Sequence, residues 1–146
     1  MPITMLAVLA GCGGHPSTSW DQPHSGPGRQ AADIALEQVG APYRYGGASP
    51  TGFDCSGLVQ YSYSRAGVSV PRTTGQLWGA AKPVAQHELE AGDVLFFSIE
   101  GKMSHVGMYL GERRFVHAPQ SGRSVTVASL DAPFYKAALI RAGRLY

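Results

Sequence analysis

The stretch Phe53-Asp54-Cys55-Ser56-Gly57-Leu58-Val59 joins a loop of small and polar residues to an apolar segment with helical spacing. Asp54 and Ser56 are good helix-capping residues, so the pattern predicts that Cys55 lies in or just before the first helical turn. At that position, unpaired backbone N–H groups and the helix dipole favour a thiolate over a thiol. Free cysteine is also among the most buried residue types, so this segment alone allows either a nucleophile or a small buried thiol.

The rest of the chain divides into helices followed by strands. Residues 29–39 repeat apolar side chains at helical spacing, and their alanine-rich face predicts packing against the helix that begins near Cys55. A shorter helix is predicted to open at residues 72–76. Beyond residue 90 the spacing changes to 2, and about five short strands are predicted at residues 94–97, 104–110, 113–118, 124–127 and 137–142. This order predicts an α+β domain in which N-terminal helices pack on an antiparallel sheet.

Composition restricts the class of protein. With 146 residues, 44% of them hydrophobic and 15% charged, the chain can form one globular domain with a substantial core. The formal charge of +2 is not concentrated in a run of Lys and Arg. Nucleic acid is therefore not an expected partner.

The N-terminus has a different character from the rest of the chain. Leu9-Ala10-Gly11-Cys12 ends an apolar run and resembles a bacterial lipobox, in which the cysteine is lipidated. We therefore divide the chain into a lipoprotein signal segment (1–12), a flexible tether (13–28) and a folded domain (29–146). Because no aspartate follows Cys12, the implied location is the outer membrane, facing the periplasm. No basic residue precedes the apolar run, so a periplasmic or secreted protein is the alternative.

Two histidines are expected on neighbouring strands of one hairpin. If the loop is the three-residue Leu110-Gly111-Glu112, then His105 lies directly opposite His117 on the same face. A thiolate that attacks a peptide carbonyl needs a base to take its proton and a third group to orient that base. We assign Cys55 as the nucleophile, His105 as the base and acid, and His117 as the group that orients His105.

Other assignments stay open at the level of residue chemistry. Tyr43 is either a packing anchor or a phenol that donates a hydrogen bond to the thiolate or the oxyanion. Arg72 is either an ordinary surface charge or a clamp for a substrate carboxylate. One cysteine and two histidines could also supply three zinc ligands, but the usual short ligand spacings are missing, so no metal is expected.

Six motifs in this order resemble the NlpC-type family of cell-wall cysteine peptidases, which have a compact papain-like fold. The motifs occupy residues 40–47, 53–59, 71–74, 91–97, 104–109 and 115–118. The resemblance implies the triad Cys55, His105 and His117 and makes Tyr43 an active-site residue. It also implies that Gly92-Asp93 is a structural turn rather than a source of a catalytic carboxylate.

The activity that this resemblance implies is hydrolysis of amide bonds in peptidoglycan stem peptides, between D-glutamate and diaminopimelate or at the D-alanine to diaminopimelate cross-link. Asp54, Ser56 and Arg72 are predicted to bind substrate. The expected partners are the stem peptides and, through lipidated Cys12, a membrane; no cofactor is expected, and a protein regulator is not specified. The alternatives are a catalytically silent peptidoglycan-binding lipoprotein, an acyl-transfer or deamidation enzyme, and a wall-degrading toxin with the same fold.

Overall fold

The computed structural model describes residues 26–146, so the predicted signal segment with Cys12 and the tether up to residue 25 lie outside the described residues. The helices are α1 (Pro27–Glu37), α2 (Cys55–Arg65), α3 (Thr74–Ala80) and α4 (Pro133–Ala138). The strands are β1 (Ala48–Ser49), β2 (Gly52–Phe53), β3 (Lys82–Val84), β4 (Val94–Ile99), β5 (Lys102–Gly111), β6 (Arg114–His117), β7 (Thr126–Ser129) and β8 (Leu139–Arg144). Within residues 26–146, no helix is both long and apolar enough to cross a membrane.

The main sheet is antiparallel, and its strands lie in the order β3-β8-β4-β5-β6-β7. Because α1, α2 and α3 come before this sheet in the chain, the predicted α+β class is confirmed. The sheet has one strand more than the five expected. The additional strand is β3, which lies at the edge and contains Pro83, a residue whose missing N–H suits an edge position.

Two boundaries differ from the sequence-based expectation, and both involve proline. Helix α1 begins at Pro27, two residues before the predicted start of the folded domain, because proline is well suited to the first helical position. Residues 137 and 138 were expected to open the last strand. They instead end α4, which Pro133 begins, and β8 starts at Leu139.

The sheet is buried on both faces, which explains the continuous apolar run of β4. Val94 and Phe96 join the core beneath the helices, whereas Leu95 and Phe97 join a second cluster on the opposite face, partly covered by α4. The predicted alanine face of α1 is buried: Ala31, Ala32 and Ala35 pack in the first cluster together with Leu58, Val59 and Tyr63 of α2.

The turn before β4 is held by a buried ion pair. Asp93 is fully buried, and Arg144 donates to its two carboxylate oxygens over 2.8 and 2.9 Å. The Tyr63 hydroxyl donates to the carbonyl of Gly92, whose φ of +97° favours glycine. Asp93 therefore has a structural partner within the fold, in agreement with the turn that the motif resemblance implied.

Candidate active site

Cys55 is the first residue of α2, as its sequence context predicts. The Asp54 side chain caps the helix by accepting from the Gly57 N–H over 2.7 Å. The Cys55 sulfur lies 3.6 Å from the Thr74 hydroxyl oxygen and 3.8 Å from the Ser104 carbonyl oxygen. The half-buried thiol therefore lies where the starts of α2 and α3 meet β5.

The backbone at the start of α2 has donors available. Across residues 26–146, the N–H groups of Cys55 and Ser56 have no hydrogen-bond partner. Such groups are a normal consequence of helix geometry, because the first turn has no preceding carbonyls to bind. They are suitable donors for an oxyanion that develops beside the Cys55 sulfur.

Asp54 also belongs to an ion-pair network with Arg72. The guanidinium donates to both Asp54 oxygens over 2.9 and 2.8 Å, and it also donates to the Ser56 hydroxyl and the Gly47 carbonyl. Four of the five N–H groups of this arginine are thus engaged within the protein. Arg72 therefore stabilises the start of α2 and is not an ordinary surface charge.

Tyr43 lies at the edge of the same region. Its backbone N–H donates to the Arg123 carbonyl over 2.8 Å, and it forms a bridge to Phe53. Burial raises the pKa of the Tyr43 hydroxyl, and its proximity to Cys55 and Asp54 raises it further. Tyr43 therefore remains a protonated phenol at neutral pH and can donate a hydrogen bond.

The register of the β5–β6 hairpin differs from the prediction. Tyr109 pairs with Phe115 and Met108 with Val116, which places His117 opposite residue 107 and not opposite His105. The expected three-residue loop was wrong because the turn consists of Glu112 and Arg113, both with left-handed φ, and the register shifts between Tyr109 and Gly111. Arg113 consequently belongs to the turn rather than to a strand.

Despite this shift, the two histidines share one face of the sheet. Residues 105 and 107 point the same way along β5, so His117 reaches His105 diagonally. The distance between His105 Nε2 and His117 Nδ1 is 2.7 Å. The predicted common face is therefore found, with Gly107, and not His105, directly opposite His117.

Gly107 makes this diagonal contact possible. A Cβ atom at this position would lie 2.8 Å from Phe115 Cδ2 and 3.4 Å from His117 Cβ. Any side chain here would therefore collide with the Phe115 ring, which packs 4.9 Å from the His117 ring. Because position 107 carries no side chain, the His117 ring has the space to contact His105.

Both imidazoles are deeply buried, with 5% exposure for His105 and 1% for His117. Burial lowers the pKa of His105 to about 4. The pKa of His117 is lowered to about 3, mainly by burial and further by the charges of His105 and Arg123. At neutral pH both rings are therefore neutral, so one ring nitrogen donates and the other accepts across the 2.7 Å contact.

Tyr135 of α4 is a neighbour that sequence reasoning did not identify. Its hydroxyl lies 3.5 Å from His117 Nε2, and its ring packs edge-on against that histidine. The residue was overlooked because residues 133–136 fell between two predicted strands. Pro133 followed by residues of helical character was the signal for a short helix at this point.

The predicted residues fall into two groups. Asp54, Ser56 and Arg72 form one network with the start of the Cys55 helix, while His105 and His117 form a second group on the sheet. Within residues 26–146, no hydrogen bond joins the Cys55 sulfur to either imidazole; the contact closest to them is with the carbonyl of Ser104, the residue before His105. In the same range, no three His, Cys, Asp or Glu side chains are grouped so that they could hold a metal ion.

Comparison with known sequences identifies the family. The sequence model of the NlpC/P60 family matches residues 40–144, which include both groups of site residues. The chain belongs to the NlpC/P60 family. This confirms the resemblance inferred from the six motifs.

Three curated relatives are named as wall enzymes or endopeptidases. A probable endopeptidase of Mycobacterium tuberculosis is 42% identical over 86% of this chain and 33% of its own length. The murein DD-endopeptidase MepH of Escherichia coli is 37% identical over 79% of this chain and 45% of its own length. The bifunctional muramidase/DL-endopeptidase CwlT of Bacillus subtilis is 42% identical over 76% of this chain and 34% of its own length. The chain thus spans a third to just under a half of these relatives.

Solved structures agree with the fold. The NlpC/p60 domain of the peptidoglycan hydrolase SagA superposes with a TM-score of 0.70 at 34% identity, covering 80% of this chain and 97% of that domain. A Staphylococcus aureus NLP/P60-family protein described as similar to lipoprotein has a TM-score of 0.72 at 38% identity, covering 82% of this chain and 41% of the other. The papain-like NlpC architecture predicted from the motifs is therefore confirmed.

Proposed function

We propose that this chain is a cysteine endopeptidase that hydrolyses amide bonds in peptidoglycan stem peptides. The observation that carries the proposal is the position of Cys55 at the start of α2, against β5, where His105 is hydrogen-bonded to His117 of β6. Relatives named murein DD-endopeptidase and DL-endopeptidase support the substrate class. Since those two names refer to different bonds, both the D-glutamate and the D-alanine linkage to diaminopimelate belong to the proposal.

The proposed reaction begins with proton transfer from the Cys55 thiol to His105. The sulfur attacks the substrate carbonyl carbon, and the carbonyl oxygen becomes an oxyanion. When the C–N bond breaks, His105 gives its proton to the leaving amine, and a thioester remains on Cys55. Water then attacks the thioester with His105 as base, which releases the carboxylic acid and restores the thiol.

The histidine pair supports one distribution of protons. His105 uses Nε2 to contact His117, so Nδ1 is the nitrogen left to act on the thiol. An unprotonated Nδ1 requires a proton on Nε2, which then donates to His117 Nδ1. His117 in turn carries its proton on Nε2, on the side of the Tyr135 hydroxyl. In this arrangement His117 holds the His105 ring in one tautomer and accepts from it when the imidazolium forms.

The oxyanion would be held by the Cys55 backbone N–H and the Tyr43 hydroxyl. The first is an unpartnered donor at the positive end of α2, and the second stays protonated because burial raises its pKa. Donors of this kind are worth roughly 10²–10³ in rate each when they meet the developing charge. Both groups therefore have the chemistry that the tetrahedral intermediate requires.

Asp54, Ser56 and Arg72 are proposed as one wall of the substrate cleft beside Cys55. Because four of the five Arg72 N–H groups are already engaged, this arginine cannot act as a free two-pronged clamp for a substrate carboxylate. Its role in the proposal is to fix the Asp54 carboxylate and the Ser56 hydroxyl. Both Asp54 oxygens and the buried Ser56 hydroxyl already have partners in the protein, so these groups would shape the wall of the cleft that the substrate contacts.

The proposed location is the periplasmic side of the outer membrane, through a lipid on Cys12. Support comes from the lipobox-like Leu9-Ala10-Gly11-Cys12 and from the Staphylococcus aureus neighbour described as similar to lipoprotein. Mass analysis of the mature N-terminus tests the lipid anchor in this proposal. An acylated Cys12 agrees with the proposal, and an intact Met1 or cleavage elsewhere contradicts it.

Digestion of purified sacculi tests the activity. Wild-type protein should release soluble muropeptides whose masses identify the cleaved bond, and Cys55→Ala should release none while keeping its thermal midpoint. A thiol-directed alkylating probe should label Cys55 in the folded protein. Undiminished release by the Cys55→Ala variant contradicts the mechanism, whereas a folded protein that neither labels nor digests favours the silent wall-binding alternative.

A further inference from the structure

A pocket of about 420 Å³ opens beside the imidazole pair, and we call it the Arg123 pocket. The residues that matter for its chemistry are His105, His117, Gln120, Arg123, Phe134 and Tyr135. Cys55 is not among the residues that line it, and neither is any Asp or Glu of the described chain. The pocket therefore lies on the histidine side of the site and carries a positive charge.

Arg123 has no partner within residues 26–146. Its exposed side chain forms neither an ion pair nor a hydrogen bond there, in contrast to Arg72, Arg113 and Arg144, each of which pairs with a carboxylate. Its positive charge nevertheless acts on His117, which lines the same pocket, and lowers the pKa of that histidine. A cation above neutral imidazoles, with no counter-ion, favours an anionic group from outside the protein.

The backbone of Arg123 is held in place even though its side chain is exposed. Its carbonyl accepts from the Tyr43 N–H over 2.8 Å, and its own N–H donates to the Gln120 carbonyl over 3.1 Å. Pro42 and Ser124 form a bridge next to these bonds. The guanidinium is therefore attached to a fixed point of the cleft rather than to a free loop.

The proposed chemistry indicates which half of the substrate this pocket would hold. The acyl half stays on the Cys55 sulfur after the C–N bond breaks, while the amine half leaves toward the imidazole that protonates it. The pocket is lined by both imidazoles and not by the cysteine, which matches the amine half better than the acyl half. Both candidate bonds release an amine of diaminopimelate, an amino acid that carries a free carboxylate in the stem peptide.

We propose that the Arg123 pocket binds the leaving half of the substrate and that Arg123 pairs with the free carboxylate on that half. This inference rests on the proposed peptidase function and specifies its leaving-group subsite. The exposed Phe134 ring would contact the aliphatic part of the diaminopimelate residue, and the Gln120 amide would contact its polar end. Arg123 is thus a specificity-determining residue.

Binding to an inactive variant tests the subsite apart from catalysis. Cys55→Ala protein is titrated calorimetrically with diaminopimelyl-D-alanine amide and with the same compound after its free side-chain carboxylate has been converted to a carboxamide. We expect the acid to bind five- to tenfold more tightly than the carboxamide. The additional Arg123→Gln substitution should abolish that difference and leave the affinity for the carboxamide within twofold.

Arg114→Gln, in the same Cys55→Ala background, is the matched control. It removes one exposed positive charge from β6 without touching the pocket, so the acid preference should persist. Equal binding of acid and carboxamide, or a preference that survives Arg123→Gln, overturns the subsite whatever the enzyme cleaves. An Arg123-dependent preference in a protein whose wild-type form digests no sacculi supports the subsite and counts against the peptidase function alone.

Discussion

Replacing Gly107 with alanine should disturb the histidine pair without altering any polar group. The added Cβ would lie 2.8 Å from Phe115 Cδ2, about 0.6 Å inside the 3.4 Å at which ordinary contacts begin. Phe115 cannot retreat easily, because it is fully buried and packs on Phe97, His117 and Tyr135. Overpacking of this kind costs about 1–3 kcal/mol.

The expected losses are both thermodynamic and kinetic. For a domain of this size, the stability loss corresponds to a fall of roughly 3–10 °C in the thermal midpoint. If the His117 ring shifts with Phe115, the 2.7 Å contact to His105 lengthens, and a misplacement approaching 1 Å can reduce kcat by about 10²-fold. Thermal unfolding and the rate of muropeptide release from sacculi measure the two effects.

Gly79→Ala is the matched control, since a Cβ there meets nothing within 4 Å and lies in α3. That variant should keep full activity and an equal or higher midpoint, because alanine is the better helix former. A Gly107→Ala protein with wild-type midpoint and rate would refute the hairpin register described above. A lowered midpoint with an unchanged rate would show that the space at Gly107 serves packing and not the alignment of His117.

Three further changes test other parts of the site. Burial holds the pKa of His105 at about 4 and that of His117 at about 3, below the ordinary 6.5. Below pH 6.5 the unfolded chain therefore binds more protons than the folded chain, and the free energy of unfolding should fall by a few kcal/mol as the pH drops from 7 to 4. Urea titrations of wild type and His117→Gln should show a shallower fall in the variant. Tyr135→Phe keeps the ring but removes the hydroxyl 3.5 Å from His117 Nε2, so kcat should fall about two- to tenfold with little change in KM or thermal midpoint, and a change in KM alone would contradict the orienting role. Arg72→Lys cannot reproduce the bidentate bonds to Asp54, so the unfolding free energy should fall by about 1–3 kcal/mol. An unchanged unfolding free energy in urea titrations would contradict the stabilising role of Arg72.

Features with a local physical cause were predictable from the sequence. The start of α2 at Cys55 follows from Asp54, whose carboxylate caps the helix. The common face of His105 and His117 follows from the two-residue period of strands and survives a shift of the register by an even step. The family resemblance implied an active-site role for Tyr43, which the residue chemistry alone had left open, and that role stays a prediction.

Features that depend on tertiary context were not predictable in the same way. The two-residue turn at Glu112 and Arg113 places both in left-handed conformation without the Asn or Gly that normally marks such turns, so the loop length was misjudged. Helix α4 is only six residues long, too short for a periodic pattern, and with it Tyr135 was missed. The pairing of Arg72 with Asp54 joins residues 18 positions apart, and no local pattern specifies it.

The hydrogen bond between the Tyr43 N–H and the Arg123 carbonyl joins two loops that are distant in the chain. One loop carries Tyr43, a proposed oxyanion donor. The other carries Arg123, the cation proposed to bind the leaving half of the substrate. A change in the length of the 119–124 loop would move both at once, so turnover and substrate preference would change together rather than separately. If the proposed activity holds, attempts to change the substrate preference should therefore substitute side chains within that loop and keep its number of residues constant.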